Sequence, residues 1–92
     1  MTKRELVDIV ARKAHLTKRA AEEAINVFLS EIGRALGKGE SRIVLSGFGT
    51  FKVKWMEGKT VKIPKRDETV TIKRHRLPRF TPGNDLKRQI NR

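Results

Sequence analysis

The spacing of apolar residues changes twice along this chain. Between Leu6 and Leu36 they recur every three or four positions, which is typical of amphipathic helices. From Arg42 onward they alternate with polar residues, as in strands with one solvated face, and helical spacing returns near the end. The pattern predicts an α+β fold. It has a helical hairpin body (residues 1–39), an antiparallel β-sheet that extends into a long β-ribbon arm (residues 40–80), and a short C-terminal helix (residues 81–92).

Capping residues mark the starts of the first two helices. Thr2 and Glu5 match a capping box, and Thr17 can cap a second helix that we expect to reach about Leu36. The residues that follow the first cap at helical spacing are Leu6, Ile9, Val10 and Ala14. We expect the second helix to end at Gly37 and Gly39.

The second helix is apolar on more than one face. Its main stripe consists of Ala21, Ala24, Ile25, Phe28, Ile32, Ala35 and Leu36. Val27 and Leu29 lie outside this stripe. A short helical hairpin would leave one of these faces uncovered, so we expect a partner subunit.

Alternation and turn residues predict the strands. Apolar residues alternate with polar ones around Ile43 and Leu45, and again at Phe51, Val53 and Trp55 beyond a turn at residues 46–49. Val61 and Ile63 should extend the outgoing strand, and Val70 and Ile72 should lie on the returning one. Proline does not fit within a central strand, so Pro64 belongs at the hairpin tip, with Arg66 and Asp67. We expect Thr81 to cap the last helix with Pro82 at its first position, and Leu86 and Ile90 to face inward.

Length and composition restrict the ways in which the fold can be stabilised. A chain of 92 residues is expected to form one domain, residues 1–92, with a modest core. There is no cysteine, which excludes disulfides and thiolate metal sites. His15 and His75 are isolated, so we expect no metal and no other cofactor. Oligomerisation remains as the route to a larger core.

The charge of the chain indicates the class of its partner. The formal net charge is +12, from 22 Lys and Arg against 10 Asp and Glu, which favours nucleic acid. A membrane surface is a weaker candidate, because no segment joins a basic face to a broad apolar face with aromatic anchors. The first residues lack the apolar run of a signal peptide, and no stretch approaches a transmembrane length, so we expect an intracellular protein.

Most of the candidate binding residues lie between Phe51 and Arg79. The cations of this segment are Lys52, Lys54, Lys59, Lys62, Lys65, Arg66, Lys73, Arg74, Arg76 and Arg79. Charge runs are usually only solvated faces. Here acids are sparse, and the ribbon is too long to pack on the small helical part, so we favour contact with nucleic-acid phosphates.

Two motifs have both a structural and a functional interpretation. Proline is common at loop tips, but Ile63 and Pro64 as exposed apolar residues on a cationic arm would also suit a wedge that enters a base step from the minor groove. Gly47 and Gly49 around Phe48 could serve only to turn the chain, or could let backbone N–H groups approach a phosphate. Both interpretations stay open. We expect Phe48 and Trp55 to pack in the core, and His75 to meet phosphate or solvent.

Catalysis has little support in this sequence. There is no Ser, His and Asp constellation, no phosphate-cradling loop and no evident carboxylate pair, so we expect no enzyme activity and no small-molecule substrate. RNA binding is an alternative, but readers of RNA usually present stacking aromatic residues, and here the aromatic residues occupy core-like positions.

Over essentially its full length the chain resembles the bacterial histone-like HU and integration host factor family. The matching stretches are residues 2–7 (TKRELV), 45–51 (LSGFGTF), 77–83 (LPRFTPG) and 86–87 (LK). The resemblance implies an intertwined homodimer on the nucleoid, in the cytoplasm, whose two arms enter the minor groove. It also implies that Pro64 is the intercalating residue, that Lys62 replaces an arm arginine, and that residues 47–49 form a turn that meets phosphate. Lys3 and Lys87 match lysines of the body that can touch flanking DNA.

The departures from the family pattern concern the tip and the degree of specificity. Lys62-Ile63-Pro64 stands where the family usually has Arg-Asn-Pro, so Ile63 would enlarge the wedge. We expect a DNA-condensing protein that bends duplex DNA with low sequence specificity, because lysine–phosphate contacts carry no sequence information. The alternative is a site-preferring protein of the integration-host-factor type, which Ser46 and Asn84 slightly favour.

Overall fold

The computed structural model describes residues 1–65 and 68–92. Its elements are α1 (Lys3–Lys13), α2 (Lys18–Gly37), β1 (Arg42–Leu45), β2 (Gly49–Met56), β3 (Lys59–Ile63), β4 (Glu68–Ile72), β5 (His75–Pro82) and α3 (Asn84–Ile90). Strands β1, β2 and β5 form an antiparallel sheet in the order β1-β2-β5, here called the body sheet, and β3 pairs with β4 in a two-stranded arm. The predicted α+β fold is confirmed. The chain divides into a helical unit, residues 1–38, and a second unit, residues 39–92.

The caps of the helical unit are those that the sequence predicts. The side chain of Thr2 accepts a hydrogen bond from the backbone N–H of Glu5 (3.3 Å), and that of Thr17 accepts one from Ala20 (3.0 Å). These bonds satisfy N–H groups that have no partner in the first helical turn. Helix α2 includes Gly37, one residue beyond the expected Leu36.

The core of the helical unit is small. Val7, Ala11 and Ala21 are buried, with Ile25 packed against them. The predicted α1 stripe misses Val7 and Ala11, and Leu6 stays 49 % exposed. Val7 and Ala11 lie one turn apart on the face toward α2, and Leu6 is rotated from Val7 by about 100° at 3.6 residues per turn. Two of the buried residues, Ala11 and Ala21, have small side chains, so this core buries little apolar area.

One face of the body sheet carries several partly buried apolar residues. Ile43, Leu45, Phe51 and Val53 are partly buried there, as their alternation predicts. The Phe51 and Phe80 ring centroids are 4.9 Å apart, in a tilted arrangement that is favourable for aromatic pairs.

The predicted start of the last helix is wrong. Thr81 and Pro82 are the final residues of β5, where they pair with Thr50 and Gly49, and Gly83 takes the cap position without a side-chain hydrogen bond. The sheet ladder along β2 continues to its first residue and keeps Thr81 and Pro82 in extended conformation. Proline is tolerated there because β5 is an edge strand.

Backbone hydrogen bonds attach the start of α3 to the turn between β1 and β2. The N–H of Gly83 donates to the carbonyl of Phe48 (2.7 Å), and that of Leu86 to the carbonyl of Gly47 (3.3 Å). Leu86 is accordingly partly buried. Ile90 was expected to face inward but is 72 % exposed, because it lies a full turn beyond these attachments.

The arm is a separate ribbon and does not continue β2. Strand β2 ends at Met56, and β3 begins at Lys59 in the other sheet. The arm register places Val61 opposite Val70, and a turn that contains Pro64 follows β3, as predicted. Arg66 and Asp67, also predicted at this tip, lie outside the described residues.

We predict that Gly49→Ala lowers the free energy of unfolding by about 1–3 kcal/mol, the usual range for overpacking. A Cβ atom at Gly49 would lie 2.8 Å from the carbonyl oxygen of Thr81 and would collide with the Phe80 ring. Urea denaturation followed by circular dichroism measures the change. The control is Gly37→Ala, where a Cβ meets nothing within 4 Å. Equal stability of the two variants would contradict the packing around Gly49.

Candidate nucleic-acid interface

Three cations lie in a row across one face of the body sheet. Arg42 is paired with Lys52 on the adjacent strand, and Lys52 is paired with Arg79 on the next. Side chains at directly opposed positions have Cβ atoms about 4.5–5.5 Å apart, so these three positions, here called the cationic row, concentrate positive charge. Lys54 lies on the same face, two residues beyond Lys52 on β2. Like charges at directly opposed positions repel one another most strongly, and an anion bound above the row would relieve this repulsion.

Arg42 was not among the binding residues expected from the sequence. Its alternation with Ile43 indicates a solvated face, but its alignment with Lys52 depends on the register across the turn. That register is fixed by the pairing of Leu45 with Gly49, which brackets a turn of three residues. The available signal was therefore the turn length together with the alternation.

Not all of the predicted cations share this face. Arg76 is paired with Trp55, and both positions belong to the opposite face of the body sheet. The alternation that places Lys52 and Arg79 together separates Arg76 from them. The body sheet therefore presents one strongly cationic face, and Arg76 lies outside it.

The arm carries cations on both faces and at its tip. Lys62 is paired with Thr69 and shares its face with Thr60 and Thr71. Lys59 lies on the other face, with the apolar residues, and Lys65 follows Pro64 in the tip turn. A polyanion that surrounds the arm would meet positive charge from each side.

Only one of the two predicted wedge residues is exposed. Pro64 is exposed, but Ile63 is partly buried, which corrects the expectation that both side chains project into solvent. Ile63 is the last paired residue of β3, opposite Glu68, on the same face as Val61. Its place in the ladder reduces its exposure, whereas Pro64 lies beyond the ladder.

The breaks between the body sheet and the arm, residues 57–58 and 73–74, form what we call the arm root. The guanidinium carbon of Arg74 lies 4.2 Å from the centre of the Trp55 ring, and its Nε lies 3.6 Å from Oε1 of Glu57. Trp55 was expected in the core but is 52 % exposed in the single chain. Nδ1 of His75 lies 2.9 Å from the carbonyl oxygen of Lys73, a distance at which a protonated Nδ1 donates a hydrogen bond.

The glycine turn uses several of its backbone groups within the fold. The N–H of Phe48 donates to the carbonyl of Leu45 (2.9 Å), and the carbonyls of Gly47 and Phe48 accept the bonds from the start of α3. Phe48 was expected in the core but is 51 % exposed in the single chain, with its ring centroid 5.7 Å from that of Phe80. Phosphate contact by residues 47–49 stays a prediction.

The remaining predicted cations lie on helices. In the helical unit, Nζ of Lys3 donates to Oδ1 of Asn26 (2.8 Å). In the second unit, Lys87 lies on α3 close to Arg88, which forms an ion pair with Asp85. Lys87, Arg88 and Arg92 line one open surface depression together with Asn91, so the end of α3 is also cationic.

Other kinds of site are not evident in residues 1–65 and 68–92. Within these ranges no three His, Asp or Glu side chains lie close enough together to hold a metal ion. The same ranges contain no helix with the length and hydropathy needed to cross a bilayer.

Comparison with known proteins gives consistent results over the whole chain. A family profile described as bacterial DNA-binding protein matches residues 1–91. DNA-binding protein HU of Helicobacter pylori is 42 % identical over 91 residues, which cover 98 % of this chain and 96 % of the relative. The integration host factor subunit beta of Thioalkalivibrio sulfidiphilus is 36 % identical over 92 residues, 99 % of this chain and 95 % of the relative. The HU protein of an Anabaena HU–DNA cocrystal structure superimposes with a TM-score of 0.88 at 33 % identity, covering 98 % of this chain and 97 % of that one.

We predict that Lys52→Gln raises the free energy of unfolding at low salt by about 0.2–1 kcal/mol per relieved neighbour, because Lys52 is the central member of the cationic row. The gain should shrink as sodium chloride is added, since the screening length falls from about 30 Å at 0.01 M to about 3 Å at 1 M. Thermal melting at several salt concentrations measures it. Lys54→Gln is the control, because Lys54 is paired with Leu77. A salt-independent gain, or the same gain in both variants, would rule out repulsion within the row.

Proposed function

The chain belongs to the family of bacterial DNA-binding proteins that includes HU and the integration host factor subunits, and on this premise we propose that it works as a homodimer that bends and compacts double-stranded DNA through the minor groove. The observation that carries this proposal is the combination of the cationic row with an arm that bears cations on both faces and ends in an exposed proline. Duplex DNA carries phosphates along its whole length, and these can neutralise such a surface.

Phosphate contact supplies most of the affinity in this proposal. Each neutralised phosphate releases counterions from duplex DNA, which favours binding at low salt. Such contacts do not read base identity, so sequence preference should be low. The residues that we assign to the duplex are Lys3, Gly47, Phe48, Gly49, Lys52, Lys54, Lys59, Lys62, Ile63, Pro64, Lys65, Arg66, Lys73, Arg74, Arg76, Arg79 and Lys87, and Arg42 joins them as part of the cationic row.

The tip of the arm is assigned to bending. Pro64 is rigid, exposed and free of a backbone N–H, so it can enter a base step without burying an unsatisfied donor. Ile63 precedes it and can widen the apolar wedge when bases close around the tip. Insertion from the minor groove partly unstacks the step and kinks the duplex, at a cost of a few kcal/mol per step.

Dimerisation supplies the core that a single chain lacks. Val27, Phe28 and Leu29 on α2 are each about half exposed, and few of the described residues are buried. An apolar groove on α2 is lined by Ala20, Ala24, Val27 and Phe28 between two glutamates. The helical unit of a second chain would cover these side chains, and that chain would also provide the second arm.

The proposal places the protein on the nucleoid in the bacterial cytoplasm and assigns it no catalytic activity. Its support is the family, whose members among the relatives are named for DNA binding. Contacts to phosphate, sugar and a kinked step require no cofactor.

A second candidate is a bender with a preferred site. The integration host factor subunits among the relatives favour it, since they match the chain over the same length as HU does. Its specificity would come from the deformability of the kinked steps and not from base contacts. A large ratio between the affinities for one selected duplex and for random duplexes would favour this candidate.

We predict that Pro64→Ala combined with Ile63→Ala reduces the DNA bend more than the affinity, because the wedge opens a base step whereas the cations hold the phosphates. Fluorescence energy transfer across a labelled duplex measures the bend, and a titration on the same duplex measures the affinity. Val61→Ala combined with Val70→Ala is the control, because it removes apolar atoms from the arm but not from the tip. An unchanged bend in the tip variant contradicts the wedge.

We predict that Lys62→Ala combined with Lys65→Ala weakens binding to all duplexes and flattens the dependence of log Kd on log salt, by about 0.9 for each phosphate that is no longer neutralised. The matched control, Lys13→Ala with Lys38→Ala, removes the same charge from the helical unit. Titration of random and selected duplexes at four salt concentrations gives both slopes. If the slope of the arm variant equals that of the unsubstituted protein, these lysines do not meet phosphate.

A further inference from the structure

We propose that Trp55, Glu57 and Arg74 form a brace across the arm root, which holds the arm in one direction relative to the body sheet before DNA is bound. This proposal rests on the proposed function only because that function gives the arm its role in bending DNA. The brace itself is a property of the free protein. Its three members come from β2, from the outgoing break and from the returning break.

The ladder of strand pairing stops at the arm root. Pairing between β2 and β5 ends with Met56 opposite His75, and pairing between β3 and β4 begins with Lys59 opposite Ile72. Two breaks of two residues each therefore join the sheets. Strand hydrogen bonds alone leave the direction of the arm to the dihedral angles of these breaks.

The two breaks are packed closely against each other. A Cβ atom on Gly58 would lie 2.5 Å from the carbonyl oxygen of Ile72 and 3.0 Å from the backbone nitrogen of Arg74. Only glycine permits this approach of one backbone to the other. The approach puts the side chain of Arg74 within reach of residues on the outgoing chain.

Arg74 uses that position to contact two residues on the outgoing chain. Its guanidinium stacks on the ring of Trp55, at 4.2 Å from the centroid, and its Nε faces the carboxylate of Glu57 at 3.6 Å. Trp55 belongs to the body sheet, so the stack links the returning break to the body. Arg74 and Glu57 remain mostly exposed, at 57 % and 83 %. Exposed contacts of this kind are individually weak, so the brace favours one arm direction and does not lock it.

The role of Glu57 separates this proposal from simple phosphate binding by Arg74. If Arg74 only meets phosphate, Glu57 is an acid that repels DNA, and Glu57→Gln should strengthen binding and leave the arm unaffected. If Glu57 holds Arg74 in the brace, the same substitution should loosen the arm in the free protein. The two interpretations therefore differ in what they predict for arm motion in the free Glu57→Gln protein.

The experiment measures arm motion in the full chain without DNA. Because the chain has no cysteine, a dye can be placed at one position through Thr69→Cys, on β4 of the arm. Time-resolved anisotropy of this dye reports the amplitude of arm motion in a monomer or a dimer. Trp55 is the only tryptophan, so its emission reports the stack with Arg74 in the same samples.

We expect Arg74→Gln and Glu57→Gln each to lower the residual anisotropy of the dye and to shift the Trp55 emission to longer wavelength, as water replaces the guanidinium over the ring. The double variant should be no looser than Arg74→Gln alone, because Glu57 acts in the brace only through Arg74. Matched controls are Lys73→Gln, one position away in the same break, and Glu68→Gln, at the far end of the arm. Both should leave the anisotropy as in the parent.

Residual anisotropy equal to that of the parent in either brace variant overturns the proposal, as does an equal decrease in the Lys73→Gln control. The proposed function is tested separately, by duplex binding of the unlabelled parent. Failure to bind would remove that function and leave the anisotropy result on the brace intact.

Discussion

Folding of the body sheet aligns Arg42, Lys52 and Arg79 on neighbouring strands, and the other paired positions of that face, all within the described residues, include no acid. The free chain therefore holds like charges together without compensation, in a molecule whose net charge is +12. Cross-strand pairs of like charge cost a few tenths of a kcal/mol or more each. A bound polyanion converts this cost into attraction. Affinity, salt dependence and weak sequence preference all follow from that single exchange of repulsion for phosphate contact.

The hydrophobic core of the single chain is also small. Val7, Ala11, Ala21 and Leu36 are the buried apolar residues of the described chain, and two of these four are alanines. A core of this size offsets little of the entropy lost on ordering the chain. We therefore place half-exposed Phe28 and its neighbours on α2 in the interface of the proposed dimer. The same dimer that buries these residues also brings a second arm. A single chain would lack both the stabilising interface and the second arm that contacts DNA.

Local spacing in the sequence predicts some features of the structure, whereas other features depend on how distant strands pair. The caps at Thr2 and Thr17, the alternation along β2 and the position of Pro64 follow from local spacing, and the structure confirms them. Arg42 in the cationic row and the exposure of Trp55 depend on strand register and on where β2 ends, which local spacing leaves undetermined. Thr81 reads as a helix cap by local rules, but the ladder with β2 overrides that preference. Long-range pairing therefore decides most of the site geometry.

Bending places a mechanical demand on the arm root that binding alone does not. Unstacking a base step costs a few kcal/mol, and bending a short site by 40–90° costs on the order of 1–6 kcal/mol more. A freely hinged ribbon would have to be ordered as it binds, and that ordering would use part of the binding free energy. The phosphate contacts along the arm supply this order only after the arm is in the groove. A root in which Gly58 packs against the returning backbone, and Arg74 bridges Trp55 and Glu57, gives the ribbon a preferred direction beforehand. Less of the binding free energy is then needed to order the arm, and more remains to deform the DNA.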